Sequence, residues 1–244
     1  VSLLECISEK RTPESVPGVG FMEQDRFRLT PPQLITFNGR FPDLGRWIDM
    51  RPYQRIGGTY NIQTKRGCRQ NCIYCTYNQS LEGNKLRFRS PVEVVDEIEE
   101  ALKRYRPKTF EFVDSVFNDS LDHSVAILEE IIRRPWKADF TAMGMHPTNL
   151  DKRYLDLMWR AGFRSFMITP ESASGVMLKS YKKGFRQDDV IKAAEAINKT
   201  AFSAWWFFMI GGPGETNATL QESLDFAVER LQKKGRPVTN VAHF

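Results

Sequence analysis

Cysteine is scarce in this chain: 244 residues carry four cysteines and three histidines, which points to ligands or redox groups before disulfides. Long apolar runs are also missing. The richest, AWWFFMIGG at 204–212, has the length of a strand, and nothing approaches the roughly 20 residues that cross a bilayer, so no membrane association is expected. The chain opens without a charged segment followed by an apolar core of signal-peptide type, which makes a reducing cytoplasm the expected compartment. Charge of one sign is modest: the net charge is +5, the pI is about 9.0, and the charges are dispersed. The densest basic run, KRYRPK at 103–108, reads as the solvated end of a helix, and no basic stripe interleaved with aromatics marks a nucleic-acid partner. The glycine-rich GGPGET at 211–216 is not followed by lysine and serine or threonine, so it is not a phosphate loop.

What is present is 41% hydrophobic and 12% aromatic residues, the composition of a globular protein with a substantial core. Residues 1–55 hold Pro13, Pro17, Pro31, Pro32, Pro42 and Pro52 with little periodicity, and read as a linker or the tail of an upstream domain. From residue 56 onward strand and helix patterns alternate. TYNIQTK (59–65) alternates as a strand; in SPVEVVDEIEEALKRY, Ser90 and Glu93 predict a capping box around Pro91 at the first helical position, with Val95, Ile98, Leu102 and Tyr105 on one face. TFEFVDSVF (109–117) leads to a helix carrying Val125, Leu128 and Ile132. ADFTAMGMH (138–146) leads to a helix that Gly162 stops in a left-handed conformation. RSFMITPES (164–172), SAWWFFMIGG (203–212) and PVTNVAHF (237–244) supply a fourth, a fifth and the opening of a sixth strand, with helices predicted around 174–181, 188–199 and 217–233. This alternation specifies an α/β fold with a parallel sheet, its strands apolar enough to be covered on both faces in a barrel or doubly wound sheet. Ligands in such folds sit at the carboxyl ends of the strands, where the polar and glycine-rich segments 67–75, 114–118, 170–172 and 211–215 fall.

Cys68, Cys72 and Cys75 share the loop GCRQNCIYC, in C-x-x-x-C-x-x-C spacing. Thiolates of this kind hold iron-sulfur clusters or zinc. Structural zinc wants four closed ligands; the remaining cysteine, Cys6, lies in the proline-rich leader, and His123 and His146 come from later elements. A 4Fe-4S cluster on three thiolates leaves one iron open, which is what catalysis requires, whereas a simple electron carrier closes all four positions. Lys65, Arg66 and Arg69 beside the loop either favour the thiolate forms or merely solvate it.

CRQNCIYC resembles the signature of the radical S-adenosylmethionine enzymes, with Tyr74 in the aromatic position. FVDSVFND, TPESASGVMLKSYKKGF and FMIGGPGET follow in the order and spacing of the branch typified by cobalamin-binding-domain radical enzymes, and TYN with LEGNKLRFRSP after the cysteines is similar to that branch too. The resemblance spans residues 57–244 and implies a partial (βα)6 barrel of radical SAM type over 56–244. It implies that Cys68, Cys72 and Cys75 hold the cluster and that its free iron binds S-adenosylmethionine, which one electron cleaves to methionine and a 5'-deoxyadenosyl radical. Tyr74 would lie near the adenine, Asp114 and Ser115 near the methionine amino group, Glu171 and Ser172 near the ribose or methionine moiety, and Gly211, Gly212, Pro213 and Gly214 by the adenine and ribose. Cobalamin is implied as a further cofactor of a full-length form, a flavodoxin or ferredoxin as reductant, and a small molecule or peptide as substrate. The implied activity is methyl transfer or related C–H functionalisation. The chain departs from the branch in showing no upstream flavodoxin-type domain and no D-x-H-x-x-G motif for a lower cobalt ligand. A methylthiotransferase or oxygen-independent cyclase stands as the alternative within the superfamily, and a non-catalytic iron-sulfur or zinc module outside it.

Overall fold

The parallel sheet that the alternating pattern predicts is the frame of the chain. The structure, a computed structural model, describes residues 2–33, 46–77, 82–231 and 241–243. It divides into two units, Val1–Thr36 and Phe37–Phe244.

The first unit carries regular structure between its prolines. It contains helix α1 (Ser2–Ser8) and an antiparallel hairpin of β1 (Gly20–Glu23) and β2 (Arg26–Leu29), joined at a tight turn where Gln24 and Asp25 take positive φ. Prolines fall between these elements, where no ladder donor is lost. Cys6 is buried there, its thiol donating to the carbonyls of Arg11 and Thr12 at 3.1 and 3.2 Å.

The second unit begins with the short helix α2 (Arg51–Arg55) and continues as strand and helix in turn. Strands β3 (Tyr60–Ile62), β6 (Thr109–Phe112), β7 (Asp139–Met145), β8 (Phe163–Glu171), β9 (Ser203–Phe208) and β10 (Val241–His243) form one sheet in which every pairing is parallel and spatial order follows chain order. The intervening helices are α3 (Pro91–Arg104), α4 (Leu121–Arg133), α5 (Lys152–Ala161), α6 (Gly175–Ser180) with α7 (Gln187–Asn198), and α8 (Asn217–Arg230). A two-stranded antiparallel pair, β4 (Lys65–Arg66) with β5 (Arg87–Phe88), brackets the cysteine loop. Sequential parallel order without a reversal is the wall of a barrel, not a doubly wound sheet. The described strands make an open arc of five βα units and a sixth strand, the partial barrel that the sequence predicts.

One sequence expectation does not hold: the strands are not buried on both faces. Phe110 and Phe112, Phe140 and Ala142, Phe166 and Ile168, and Ala204, Trp206 and Phe208 are buried among apolar helix residues such as Val94, Ile98, Leu128, Leu155, Ala193 and Phe226. The alternate residues are half-buried or exposed; Met143 is 49% and Trp205 39% accessible. The helices cover one face of the arc, and among the described residues the strands do not close into a ring around the other.

Local signals explain most element ends. Gly162 closes α5 at φ 106°, as predicted, and a β-carbon there would run into the Ala138 carbonyl. Asp151 caps the same helix by accepting from the Tyr154 N–H at 2.8 Å. The capping box predicted at α3 does not form: Ser90 stays exposed and its side chain accepts nothing from the first turn. The buried stripes of α3 and α4 centre on Val94, Val95, Ile98 and Ala101, and on Ile127, Leu128 and Ile131, so the predicted Leu102, Tyr105, Val125 and Ile132 sit at their half-buried edges. Among the described residues no helix is long and apolar enough to cross a membrane.

Candidate active site

The cysteine loop is built before it is functional. Gly67 takes φ 87°, and a β-carbon there would overlap the Lys85 carbonyl, so glycine is the residue that lets the chain turn out of β4 into Cys68. The loop is then tied by its backbone: the Cys68 N–H donates to the Gly83 carbonyl at 3.4 Å, Ile73 N–H to Tyr181 at 3.2 Å and Cys75 N–H to Cys72 at 3.2 Å. Cys68 is buried and Cys72 and Cys75 half-buried, all three as thiols. They line one wall of a pocket of about 190 Å³, whose other walls come from strand ends and the segment after α6. Ser115 and Val116 enter after β6, Met145 and His146 at the end of β7, Thr169 and Glu171 from β8, and Lys183 and Phe185 after α6. Register shifts fall near these ends, between Ala142 and Met145 on β7 and between Ile168 and Glu171 on β8, so that Met145 and Glu171, each at the far side of a shift, line the pocket.

Glu171 is the strained member. Its φ is 67°, a left-handed value that costs a non-glycine residue about 1–2 kcal/mol. Its carboxylate receives the Tyr74 hydroxyl at 3.1 Å and pairs with the Lys183 ammonium at 3.6 Å. Burial raises the Glu171 pKa, opposed by Lys183 and Tyr74. The Tyr74 phenol is held well above its usual range by burial first and then by the Glu171 charge and Cys72. Lys183 also donates to the Thr169 carbonyl at 3.0 Å and lies 5.3 Å from the Tyr74 ring centre and 5.6 Å from that of Phe185. A buried cation, a buried carboxylate and an aromatic thus share one corner with three thiols.

The predicted residues divide by location. Cys68, Cys72, Cys75, Tyr74, Ser115 and Glu171 converge on the pocket. Asp114 does not open into it: one carboxylate oxygen accepts the N–H groups of Thr64 and Lys65 at 2.8 and 3.1 Å, and the other takes the Thr64 hydroxyl at 2.6 Å and Lys65 Nζ at 3.4 Å. The carboxylate at the end of β6 therefore anchors the entrance of the cysteine loop. Ser172 is likewise turned inward, pairing with the Ser223 hydroxyl at 3.0 Å and accepting the Ser174 N–H at 3.0 Å, which ties β8 to α8. Gly211, Gly212, Pro213 and Gly214 form a turn outside the pocket walls. The α-carbon of Gly212 packs against Tyr181, whose ring stands edge-on to Tyr74 at 5.9 Å.

The basic residues beside the loop are each engaged. Lys65 donates to the Phe117 carbonyl at 2.9 Å besides Asp114, Arg66 lies 3.7 Å from Glu82, and Arg69 pairs with Asp119 at 2.5 Å. The Asp119 hydrogen bond raises the Arg69 pKa most, with a smaller contribution from Cys68. Lys183, His146 and Phe185 are pocket residues that sequence reading missed; the repeated lysines of SYKKGF were a signal that spacing could not resolve. A larger groove, about 1090 Å³ between α5 and α7, lies on the helical face and contains none of the cysteines. Among the described residues no three His, Cys, Asp or Glu side chains close on a single metal ion.

Known proteins give this geometry its context. An uncharacterised methyltransferase of Pyrococcus horikoshii, PH0819, is 25% identical over 232 residues, covering 92% of this chain and 49% of the relative. Tryptophan 2-C-methyltransferase of Streptomyces laurentii is 28% identical over 195 residues, 75% of this chain and 32% of the relative. The chain thus spans half or less of these relatives. Among solved structures, the radical S-adenosylmethionine methyltransferase TsrM of Kitasatospora setae, with tryptophan and a SAM analogue bound, superposes with a TM-score of 0.79 at 21% identity, over 99% of this chain and 48% of that one. The cobalamin-dependent S-adenosylmethionine radical enzyme OxsB superposes with a TM-score of 0.76 at 19% identity, over 93% and 34%. These likenesses carry the fold of the arc. The family description of the radical SAM superfamily matches residues 62–227, from the first strand of the arc through most of α8, and by that match the chain belongs to the radical SAM superfamily.

Proposed function

We propose that residues 56–244 are the core of a cobalamin-using radical SAM methyltransferase. The observation that carries this reading is the grouping of Cys68, Cys72 and Cys75 with Tyr74, Glu171 and Lys183 around one pocket at the carboxyl ends of parallel strands. The donor set suits a 4Fe-4S cluster: three thiols on a loop tied by its backbone, and no fourth cysteine in that loop. Such a cluster, when bound, supplies the electron that cleaves S-adenosylmethionine to methionine and a 5'-deoxyadenosyl radical.

The chain's own residues then bind, orient and exclude water. Lys183 suits the α-carboxylate of S-adenosylmethionine and Glu171 its α-ammonium, each buried enough for the charge pairing to count. A pocket of about 190 Å³ is below the roughly 300–1,000 Å³ of whole-ligand sites, so it suits the amino-acid end, with the adenosine extending past Tyr74 toward the Gly211–Gly214 turn. Phe185 and Met145 are the apolar walls that keep water from the cluster. Asp114 and Ser172 act through the backbone they tie, and Ser115 faces the ligand. Methyl transfer, a small-molecule substrate and a cobalamin cofactor are supported by the relatives' names. A reductant of flavodoxin or ferredoxin type would deliver the electron.

The test uses the protein in its full natural length, purified without oxygen and loaded with iron, sulfide and hydroxocobalamin. With S-adenosylmethionine and a strong reductant it is expected to bind cobalamin and to release 5'-deoxyadenosine or S-adenosylhomocysteine, and the Cys68, Cys72 and Cys75 to Ala variant to release neither. Cluster-loaded protein that leaves S-adenosylmethionine intact, or that turns it over without ever binding cobalamin, contradicts the reading.

A further inference from the structure

His146 lines the cysteine pocket at the end of β7 and is held there by more bonds than a packing residue needs. The side chain of Asn118, itself buried, clamps its backbone on both sides: Oδ1 accepts the His146 N–H at 2.7 Å and Nδ2 donates to its carbonyl at 2.9 Å, and to the Thr148 carbonyl at 3.0 Å. The ring stands edge-on to Phe185 at 4.6 Å, and Nδ1 meets the Thr148 hydroxyl at 2.6 Å. These contacts fix the imidazole and leave Nε2 buried with no hydrogen-bond partner, in a residue only 9% accessible. A buried polar atom without a partner is rare and wants an explanation. Here it belongs to a residue on the wall of a pocket that also presents the Lys183 ammonium.

The ring is neutral at physiological pH, since burial brings its pKa down to about 4, with Lys183 adding to the effect and Asp119 and Asp189 opposing it. A neutral imidazole carries one proton. A threonine hydroxyl can donate to Nδ1, and doing so leaves that proton on Nε2.

Resting on the reading above, we propose that His146 donates from Nε2 to the α-carboxylate of S-adenosylmethionine, beside Lys183. His146 is on this account a positioning residue for the amino-acid end of the cofactor, with Thr148 setting its tautomer.

Binding is the test. Equilibrium dialysis of S-adenosylmethionine and of its decarboxylated analogue is run on the cluster-loaded protein and on His146→Ala, His146→Gln and Thr148→Val, with iron content and thermal melting measured alongside. A lost bond to a charged acceptor is expected to weaken S-adenosylmethionine about tenfold or more in His146→Ala, and to leave the decarboxylated analogue unchanged. His146→Gln recovers most of the affinity, because its amide reaches the position of Nε2. Thr148→Val, which leaves the ring in place but frees the tautomer, weakens S-adenosylmethionine more than the analogue. Should His146→Ala fail to load iron, the glutamine and Thr148 variants decide alone. Equal affinities in wild type and variants, or equal losses for both compounds, overturn the assignment while the radical SAM reading stands. Wild-type protein that loads the cluster and binds neither compound overturns both.

Discussion

Asp114 joins two stretches that sequence reading treated separately, the end of β6 and the entrance to the cysteine loop. Its four acceptor contacts come from Thr64 and Lys65, and Lys65 is almost fully buried with it. Removing the carboxylate strands a buried ammonium and two backbone donors, so Asp114→Ala is expected to cost on the order of 3–5 kcal/mol in urea unfolding. A variant with unchanged stability and lost cofactor binding would return Asp114 to the ligand role that the resemblance implied. His146 makes a second prediction at this scale. Its folded pKa is about 4 against 6.5 for the unfolded chain, so its contribution to stability is full above pH 6.5 and is lost as pH falls toward 4. Between about pH 7 and about pH 4.5 the wild type should lose about 2–3 kcal/mol more unfolding free energy than His146→Gln, which cannot titrate. Parallel losses in the two proteins would mean that the ring is not desolvated as its burial indicates.

At the scale of elements, two helix starts separate a signal from its realisation. Ser90 with Pro91 and Glu93 is a good capping sequence, yet the Ser90 side chain stays in water; Asp151 carries no such flag and does cap. Ser90→Ala is therefore expected to change stability by less than about 0.5 kcal/mol and Asp151→Ala to lower it by about 1 kcal/mol, read from thermal or urea midpoints. A larger loss at Ser90 than at Asp151 would reverse that reading. The helices of the arc were legible because each buries one face against the sheet, which writes a period into the sequence, and the strands because they are short apolar runs between those helices, although that same apolarity overstated their burial. The hairpin of residues 20–29 was not, because its residues are exposed or half-buried and leave no such period. The site was legible where chemistry demands a residue type in a short span, as in Cys68 to Cys75. It was not where the contributing side chain comes from a distant strand end. Nothing local marks His146, nothing local singles out Lys183 from the lysine before it, and nothing local distinguishes Glu171, which faces the pocket, from Asp114 and Ser172, which face the fold.

At the scale of the whole molecule, six parallel strands in chain order form an arc whose helical face is packed and whose concave face holds half-exposed residues such as Met167 and Phe207 as well as Met143 and Trp205. One pocket brings the thiols to residues of four later segments, in a chain that belongs to the radical SAM superfamily. The central claim is that the three cysteines hold a cluster with one iron open to S-adenosylmethionine. It is tested most directly by electron paramagnetic resonance of the reduced, anaerobically reconstituted protein, with iron counted in the same samples. The account predicts about four irons per chain, lost when Cys68, Cys72 and Cys75 become alanine, and a cluster signal that shifts when S-adenosylmethionine is added. Tight zinc in place of iron, or a cluster signal indifferent to S-adenosylmethionine, would contradict it.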